Sequence, residues 1–269
     1  MKNRVTLILV LLFVMASGCK QKKEVAFTPE ELGSDNAIYE KANKYIKKDS
    51  EKARLLFKEI IQLYPDSIYA RKAKIGIADS YYKQRDSTSL IMAASEYQEF
   101  VNLYPNSPDS VYAKAQIASC YEKQSKSPGR DQTNTKAAIK AYENLIKQYP
   151  DTQESKEAVK KIKKLKSRLA SHYFSIGVSN FRLKAFQGAI VRFKQVIDDY
   201  PDFNKNDKLF YFAGKSYYAL KKGDSAISFF QKIINSYPKS KYVKKAKKYL
   251  KELSLIKNKI EEGKKTEKK

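Results

Sequence analysis

The chain of 269 residues has no tryptophan, one histidine, two cysteines, 9 glycines and 8 prolines. Because His172 is the only histidine, a histidine-based triad or a multi-histidine metal site is excluded within one chain. No glycine-rich phosphate loop is present, and the carboxylates form no recognisable pair. We therefore expect a protein that is not an enzyme, with no catalytic residue, no metal and no cofactor.

Acidic residues are also scarce relative to basic ones. The chain has 54 Lys and Arg against 29 Asp and Glu, a formal net charge of +25. Such a charge suits contact with anionic lipid headgroups, acidic protein surfaces or nucleic acid. The alternative is a lysine-rich surface that is simply solvated. The 42% of apolar residues are enough for one or two cores.

The first 18 residues have the pattern of a secretory signal peptide. Lys2 and Arg4 precede an apolar run over residues 5–16, and small residues then lead to Cys19. The run is shorter than the roughly 20 residues that a membrane-spanning helix needs. A cysteine directly after Ser-Gly resembles the bacterial lipobox, in which the cysteine is acylated, for example with palmitate. We expect Cys19 to be lipidated, the alternative being an ordinary secretory signal.

Lipidation of Cys19 would leave Cys120 without a disulfide partner, so we expect Cys120 to be a small buried core residue. Lys20 follows the lipobox cysteine. In the bacterial systems that this segment resembles, aspartate at that position retains a lipoprotein in the inner membrane, so lysine fits the outer membrane. Residues 19–35 show no apolar period and predict a flexible tether. Export also disfavours a nucleic-acid partner.

A nine-residue motif, first seen as FKEIIQLYP, occurs five times and begins at Phe57, Tyr97, Tyr142, Phe193 and Phe230. An alanine always stands four residues before this aromatic residue, and a large apolar residue three after it. These offsets place all three on one helical face. The closing Tyr-Pro ends the helix, because proline biases the preceding residue away from the α region.

Each motif is preceded by room for one more amphipathic helix. The fifth unit, with Gly214, Ala226, Phe230 and Pro238, follows the tetratricopeptide pattern of a helix–turn–helix repeat throughout. We predict an all-α solenoid of about five tetratricopeptide-like repeats, with a concave surface suited to peptides or partner proteins. The repeats are predicted near 36–65, 69–105, 110–150, 169–201 and 207–238, followed by a capping helix at 239–256 and a disordered basic tail at 257–269.

A long polar loop over residues 125–135 lies between the second and third units. Long loops in compact arrays are often functional, so Arg130, Asp131 and Gln132 are candidate contact residues. The alternative is a solvated turn in which Asp131 is a local cap. Lysines also cover the capping helix and the segment KKIKKLK at 160–166. We expect these lysines to be solvated rather than to bind lipid or nucleic acid, with Ile162 and Leu165 facing inward.

The combination resembles the BamD family of outer-membrane lipoproteins, which belongs to the β-barrel assembly machinery. The resemblance is carried by the lipobox cysteine, the five repeats, the loop, and the segments at 80–86, 106–113 and 165–174. It implies a lipid-anchored scaffold on the outer membrane, facing the periplasm. In that family the N-terminal repeats engage the C-terminal strand of unfolded outer-membrane proteins, and the C-terminal repeats dock on the POTRA domains of BamA.

Applied residue by residue, the resemblance implies a substrate-peptide pocket formed by Tyr81, Tyr82 and Tyr112 with Asn106. The alternative for Tyr82 is a core position between helices. Arg192 matches the family's arginine at the BamA contact and would form a bidentate pair with an acidic residue. Its alternative is an exposed arginine on a solvated face.

Two other functions stay open at this point. One is another cell-envelope tetratricopeptide lipoprotein that acts as a protein–protein interaction scaffold. The other is an enzyme.

Overall fold

A computed structural model describes residues 33–266, with side chains as far as residue 258. The predicted signal peptide, Cys19 and the tether up to residue 32 lie outside the described residues. Within 33–266 the chain forms α-helices and no strand. The helices are α1 Asp35–Tyr45, α2 Ser50–Leu63, α3 Ile68–Gln84, α4 Ser87–Leu103, α5 Asp109–Gln124, α6 Thr133–Gln148, α7 Gln153–Arg182, α8 Phe186–Asp199, α9 Asn206–Ala219, α10 Gly223–Ser236 and α11 Val243–Thr266.

The helices stack as successive pairs. Each helix packs against the next one along the chain, and α1 also contacts α3, α5 contacts α7, and α7 contacts α9. This pattern, in which the first helix of one pair meets the first helix of the next, is that of a solenoid of helix–turn–helix units. The prediction of an all-α, tetratricopeptide-like solenoid is confirmed.

The motif tyrosine ends the second helix of every unit. The α2 helix stops at Leu63, and Tyr64 before the proline adopts φ −131° while its N–H still donates to the carbonyl of Ile60. Equivalent residues end the other four second helices, at Tyr104, Tyr149, Tyr200 and Tyr237. Proline after each of them prevents the helix from continuing.

The core is the face that the motif predicts. Its five aromatic residues are buried, as are the alanines four residues before them, at Ala53, Ala93, Ala138, Ala189 and Ala226. Three first helices approach these rings through glycine, and a Cβ on Gly76 would lie 2.4 Å from the Phe57 ring. A Cβ on Gly177 would lie 2.5 Å from the Phe193 ring, and one on Gly214 would lie 2.8 Å from the Phe230 ring. Only glycine allows so close an approach.

Two helices differ from their predicted extents. The α7 helix begins at Gln153 rather than near residue 169, because Ala158 and Leu165 are buried against α6 and hold its first half. Leu165 faces inward as expected, and Ile162 packs beside it. The α11 helix begins at Val243 and continues to Thr266, past residue 257 where a disordered tail is predicted, because the segment contains strong helix formers and no proline.

Cys120 lies in the core between the second and third units, fully buried as the sequence predicts. Burial raises the pKa of its thiol to about 12, so the group stays protonated at neutral pH. Among residues 33–266, none of the helices combines the length and the apolar character needed to cross a bilayer.

Candidate functional site

Tyr81 and Tyr82 face different neighbours of α3. The guanidinium of Arg54, on α2, lies 4.2 Å from the centre of the Tyr81 ring. The Tyr82 hydroxyl lies 2.6 Å from Ser119 Oγ, on α5. Consecutive residues of an α-helix point about 100° apart, which accounts for the divergence. Tyr82 therefore packs between α3 and α5 with its side chain partly buried.

Tyr112 belongs to a small polar cluster with Asp79 and Tyr97. Tyr112 donates to Asp79 Oδ1 at 2.8 Å, and Tyr97 donates to the same oxygen. Burial raises the pKa of Asp79, although both hydrogen bonds oppose the rise. Burial and the nearby carboxylate raise the pKa of both tyrosines. This Asp79 cluster joins α3, α4 and α5.

Asn106 lies apart from the Tyr82 contact. It is exposed in the turn between α4 and α5, before the first residue of α5. Tyr82 meets α5 at Ser119, ten residues after Asp109 (119 − 109), which is about 15 Å along the axis at 1.5 Å per residue. Tyr82 and Tyr112 both pack against the core cluster of the second and third units, whereas Asn106 is exposed in the turn before α5.

The structure places the polar loop inside the third unit, between α5 and α6, rather than between the second and third units. Two of the three loop candidates build the loop itself. Asp131 accepts from the Thr133 hydroxyl at 2.9 Å and from the Thr133 backbone N–H at 3.2 Å, and these bonds lower its pKa. Gln132 is buried and donates to the carbonyls of Ser127 and Arg130, each at 2.9 Å. Arg130 has an exposed side chain. Asp131 thus bonds to the first residue of α6 from the position before its N-cap, Gln132.

The α7 helix holds this loop from the other side. Arg168 donates to the Ser125 carbonyl at 3.2 Å, and His172 Nδ1 lies 2.6 Å from the Pro128 carbonyl oxygen. Both contacts join residues more than 40 positions apart, and neither follows a local spacing rule. They hold the partly buried His172 against the loop.

Arg192 lies on α8 with its side chain partly exposed. Its Nη1 donates to Gln195 Oε1 at 2.8 Å, and its guanidinium lies 5.9 Å from the centre of the Tyr173 ring. Tyr173 in turn stacks on Tyr200 at 6.0 Å. A guanidinium carries five N–H groups, so donors remain for a carboxylate of a partner.

A groove beside Tyr200 was not anticipated from the sequence. It lies between α7 and the α8–α9 turn and has a volume of about 710 Å³. We call it the α7 groove, and its lining includes Val159, Ile162, Tyr200, Pro201 and Phe203, with Lys160, Lys163, Lys164, Lys166, Asp199 and Asp202. The only available sequence signal was KKIKKLK, whose lysines alternate with apolar residues in a way that equally describes a solvated helix.

These features suit binding through hydrogen bonds, charge and ring contacts. Within residues 33–266 no group of three or more His, Cys, Asp or Glu side chains is arranged to hold a metal ion.

Solved structures similar to the chain include tetratricopeptide-repeat proteins. The TPR2AB-domain:pHSP90 complex of yeast Sti1 is 16% identical with a TM-score of 0.43, covering 76% of this chain and 78% of that one. A thermophilic tetratricopeptide-repeat protein of Thermus thermophilus is 14% identical with a TM-score of 0.33, covering 81% and 99%. MamA is 18% identical with a TM-score of 0.32, covering 79% and 94%. These scores lie below 0.5, so the fold is assigned from the chain's own helix pairs.

Comparison with curated protein sequences gives no match. A family model does match, and its description is YfiO, outer membrane lipoprotein. The match covers residues 32–228, from the start of the first repeat into α10. The chain therefore belongs to the YfiO family of outer membrane lipoproteins.

Proposed function

We propose that the chain is a lipid-anchored scaffold of the outer-membrane β-barrel assembly machinery, facing the periplasm and binding the POTRA domains of a BamA-like protein and unfolded outer-membrane proteins. The observation that carries the proposal is the family match over residues 32–228 of a helix-pair solenoid. YfiO is the name used for BamD homologues. A stack of helix pairs offers extended surface for protein partners and no preformed catalytic centre.

The proposed anchor is Cys19, on which acyl chains would hold the chain at the membrane. Each buried CH₂ contributes about 0.8 kcal/mol, and two or more chains suffice for stable anchoring. Replacement of Cys19 by serine is expected to abolish incorporation of labelled palmitate and to release the chain from membranes. Retained labelling of Cys19→Ser would contradict the proposed anchor.

The proposed contact with the BamA-like partner centres on Arg192. The Gln195 bond and the Tyr173 ring restrict the side chain, so little rotamer entropy is left to lose on binding. A planar guanidinium held in this way matches a carboxylate in bidentate geometry. The partner residue is proposed to be acidic.

The proposed substrate surface lies on the N-terminal repeats. The terminal strand of a barrel protein alternates apolar and polar residues, and its backbone needs hydrogen-bond partners. The hydroxyls of Tyr82 and Tyr112 are engaged within the fold, so these residues would contribute ring surface, as would Tyr81. Asn106 and the exposed Arg130 and Asp131 would be separate polar contacts, with Gln132 fixing the loop.

The test is recovery of partners from native membranes. A C-terminally tagged chain is purified in mild detergent as wild type, Arg192→Glu and Lys194→Glu, and co-purifying proteins are identified. Lys194 is exposed on the same helix, so its reversal is a matched control for charge. We expect a POTRA-bearing barrel protein with the wild type and Lys194→Glu, and less of it with Arg192→Glu.

Two other outcomes separate the parts of the proposal. Equal recovery with Arg192→Glu would keep the assembly role and remove Arg192 from the contact. Failure to recover any barrel protein with an intact, lipidated chain would contradict the assembly role and favour another cell-envelope scaffold.

A further inference from the structure

We propose that the α7 groove binds an acidic segment of a partner protein that also carries large apolar side chains. The inference goes beyond the proposed function, because it assigns a second surface and does not require the partner to be a barrel protein. It stands on the shape of the groove, its apolar floor and its unpaired lysines.

The groove arises where α7 passes from the third unit to the fourth. The first half of α7 packs on α6, and the second half of α7 pairs with α8. The α8–α9 turn therefore comes to lie beside the middle of α7. Phe203, in that turn, is buried against Phe174 at 5.6 Å between ring centres. The turn is therefore anchored, and the groove wall that it forms is fixed.

Apolar side chains form much of the lining. Val159 is 56% exposed on α7 and lines the groove. Ile162, Pro201 and the ring of Tyr200 continue this surface along the groove. Because much of Val159 is exposed, an apolar side chain of a ligand would find contact surface there.

The lining charges favour an anionic ligand. Four lysines and two aspartates line the groove, and Lys163 lies 3.8 Å from Asp202. Lys166 is paired with Glu143 at 3.1 Å. Lys160 and Lys164 form no ion pair with any described residue, and their separation of four residues places both on one side of α7. Asp199 is the other lining acid, and the lining as a whole is positive.

A protein segment fits this arrangement better than a membrane surface. A bilayer contacts protruding helix faces, whereas here the apolar side chains line a groove together with the lysines. Side chains that project from a peptide can enter such a groove while backbone-proximal carboxylates meet the lysines. The groove volume of about 710 Å³ accommodates a few large side chains.

The test measures binding of a labelled peptide to the full chain in mild detergent by fluorescence anisotropy. The probe is a peptide of about 12 residues in which glutamate alternates with leucine and phenylalanine. Two companion peptides replace every glutamate by lysine, or every apolar residue by serine. We expect saturable binding of the first peptide only, weakened by added salt because the rim contacts are exposed.

Matched charge reversals locate the site. Lys160→Glu with Lys164→Glu is expected to raise the Kd about tenfold, since two attractions become repulsions. Lys244→Glu with Lys247→Glu makes the same charge change on exposed lysines of α11 and is expected to change the Kd less than about twofold, because these lysines lie outside the groove. Val159→Ser, on an exposed side chain, is expected to weaken binding about threefold through lost apolar area.

Three results would overturn the proposal. One is equal weakening by both lysine pairs, which would indicate attraction to overall charge. The second is binding that persists when the peptide's apolar residues are serine. The third is flotation with phosphatidylglycerol vesicles that Lys160→Glu with Lys164→Glu abolishes while peptide binding stays unchanged, which would assign the lysines to lipid.

Discussion

The second and third units bury the aromatic ring of the repeated motif differently from the fourth and fifth. In the second and third the ring belongs to a tyrosine, Tyr97 or Tyr142, and its hydroxyl donates to a carboxylate on the preceding helix. The acceptors are Asp79 and Glu122. A buried hydroxyl without a partner is costly, so each tyrosine depends on its carboxylate.

In the fourth and fifth units the ring belongs to phenylalanine, and the preceding helix meets it with glycine. Phe193 faces Gly177, and Phe230 faces Gly214. No hydroxyl needs a partner, and the fit depends on the missing Cβ. The first unit also meets its phenylalanine with glycine, since a Cβ on Gly76 would lie 2.4 Å from the Phe57 ring. One motif position is therefore stabilised by hydrogen bonding in the middle of the solenoid and by steric fit at both ends.

The largest expected effect on stability comes from removing a carboxylate that accepts a hydrogen bond from the motif tyrosine. Asp79→Ala would leave the hydroxyls of Tyr97 and Tyr112 without their acceptor, and orphaned buried groups cost about 1–3 kcal/mol each. Because Tyr112 is partly exposed, we expect a loss of about 3 kcal/mol in the free energy of unfolding. Urea denaturation followed by circular dichroism measures it.

Asp66→Ala is the control for this change, because Asp66 is exposed in the α2–α3 turn. We expect it to change stability by less than about 0.5 kcal/mol. A loss for Asp79→Ala no greater than that for Asp66→Ala would show that the Asp79 cluster contributes little to stability.

The next largest effect on stability is expected from replacing a glycine that the motif phenylalanine packs against. Gly177→Ala would place a Cβ 2.5 Å from the Phe193 ring, whose side chain is fully buried. Overpacking of this kind costs about 1–3 kcal/mol, partly offset by alanine's better helix propensity. We expect a net loss of about 2 kcal/mol by thermal denaturation.

Gly129→Ala is the matched control, because a Cβ at Gly129 would meet nothing within 4 Å. If neither glycine substitution changes the stability, Phe193 can move to accept the added Cβ. The difference between the two kinds of unit would then not contribute to the free energy of unfolding.

The helices and their core faces were predictable, because they follow from local spacing. Alanine, aromatic residue and Tyr-Pro recur at fixed offsets, so the second helix and its end are set within nine residues. The start of α7 was not predictable by this route. Ala158 and Leu165 are buried by α6, a tertiary contact that no offset within the repeat encodes.

The sequence identified several candidate site residues, but it did not predict what most of their side chains contact. Gln132 and Asp131 were recognised as polar loop residues, but Gln132 is buried and builds the loop. Tyr82 turned toward Ser119 because of its rotation on α3, which sequence spacing gives only approximately. The α7 groove depends on how the α8–α9 turn meets a distant helix, so the sequence offered only its lysines.

A smaller effect is expected at the second polar pair. Tyr142 donates to Glu122 Oε2 at 2.8 Å, but Glu122 is partly exposed, so water can replace the lost donor in Tyr142→Phe. We expect a loss of about 1 kcal/mol or less in urea denaturation. The reciprocal change, Phe193→Tyr, would add a hydroxyl where phenylalanine is fully buried, and we expect it to cost more. The reverse order would contradict the division between the two kinds of unit.

The smallest expected effect is a pair of opposite pH dependences in one region of the fold. Burial raises the pKa of Asp79 above its ordinary 3.8, so the folded state holds this proton more tightly than the unfolded state. Its contribution to stability is present below pH 3.8 and is lost as pH rises through the raised value.

Hydrogen bonds from Ser89 lower the pKa of exposed Asp86, the cap of α4. Its contribution is present above pH 3.8 and is lost as pH falls through the lowered value.

The contributions of the two carboxylates to stability can be told apart by measuring the free energy of unfolding against pH for the wild type, Asp79→Asn and Asp86→Asn. The wild type should lose stability relative to Asp79→Asn as pH rises from 3.8, and relative to Asp86→Asn as pH falls below it. Because asparagine keeps an acceptor for Tyr97 and Tyr112, the first difference isolates the proton from the hydrogen bonds. If both differences have the same sign, burial is not the main influence on the pKa of Asp79. The hydrogen bonds from Tyr97 and Tyr112 would then stabilise a charged carboxylate that water reaches.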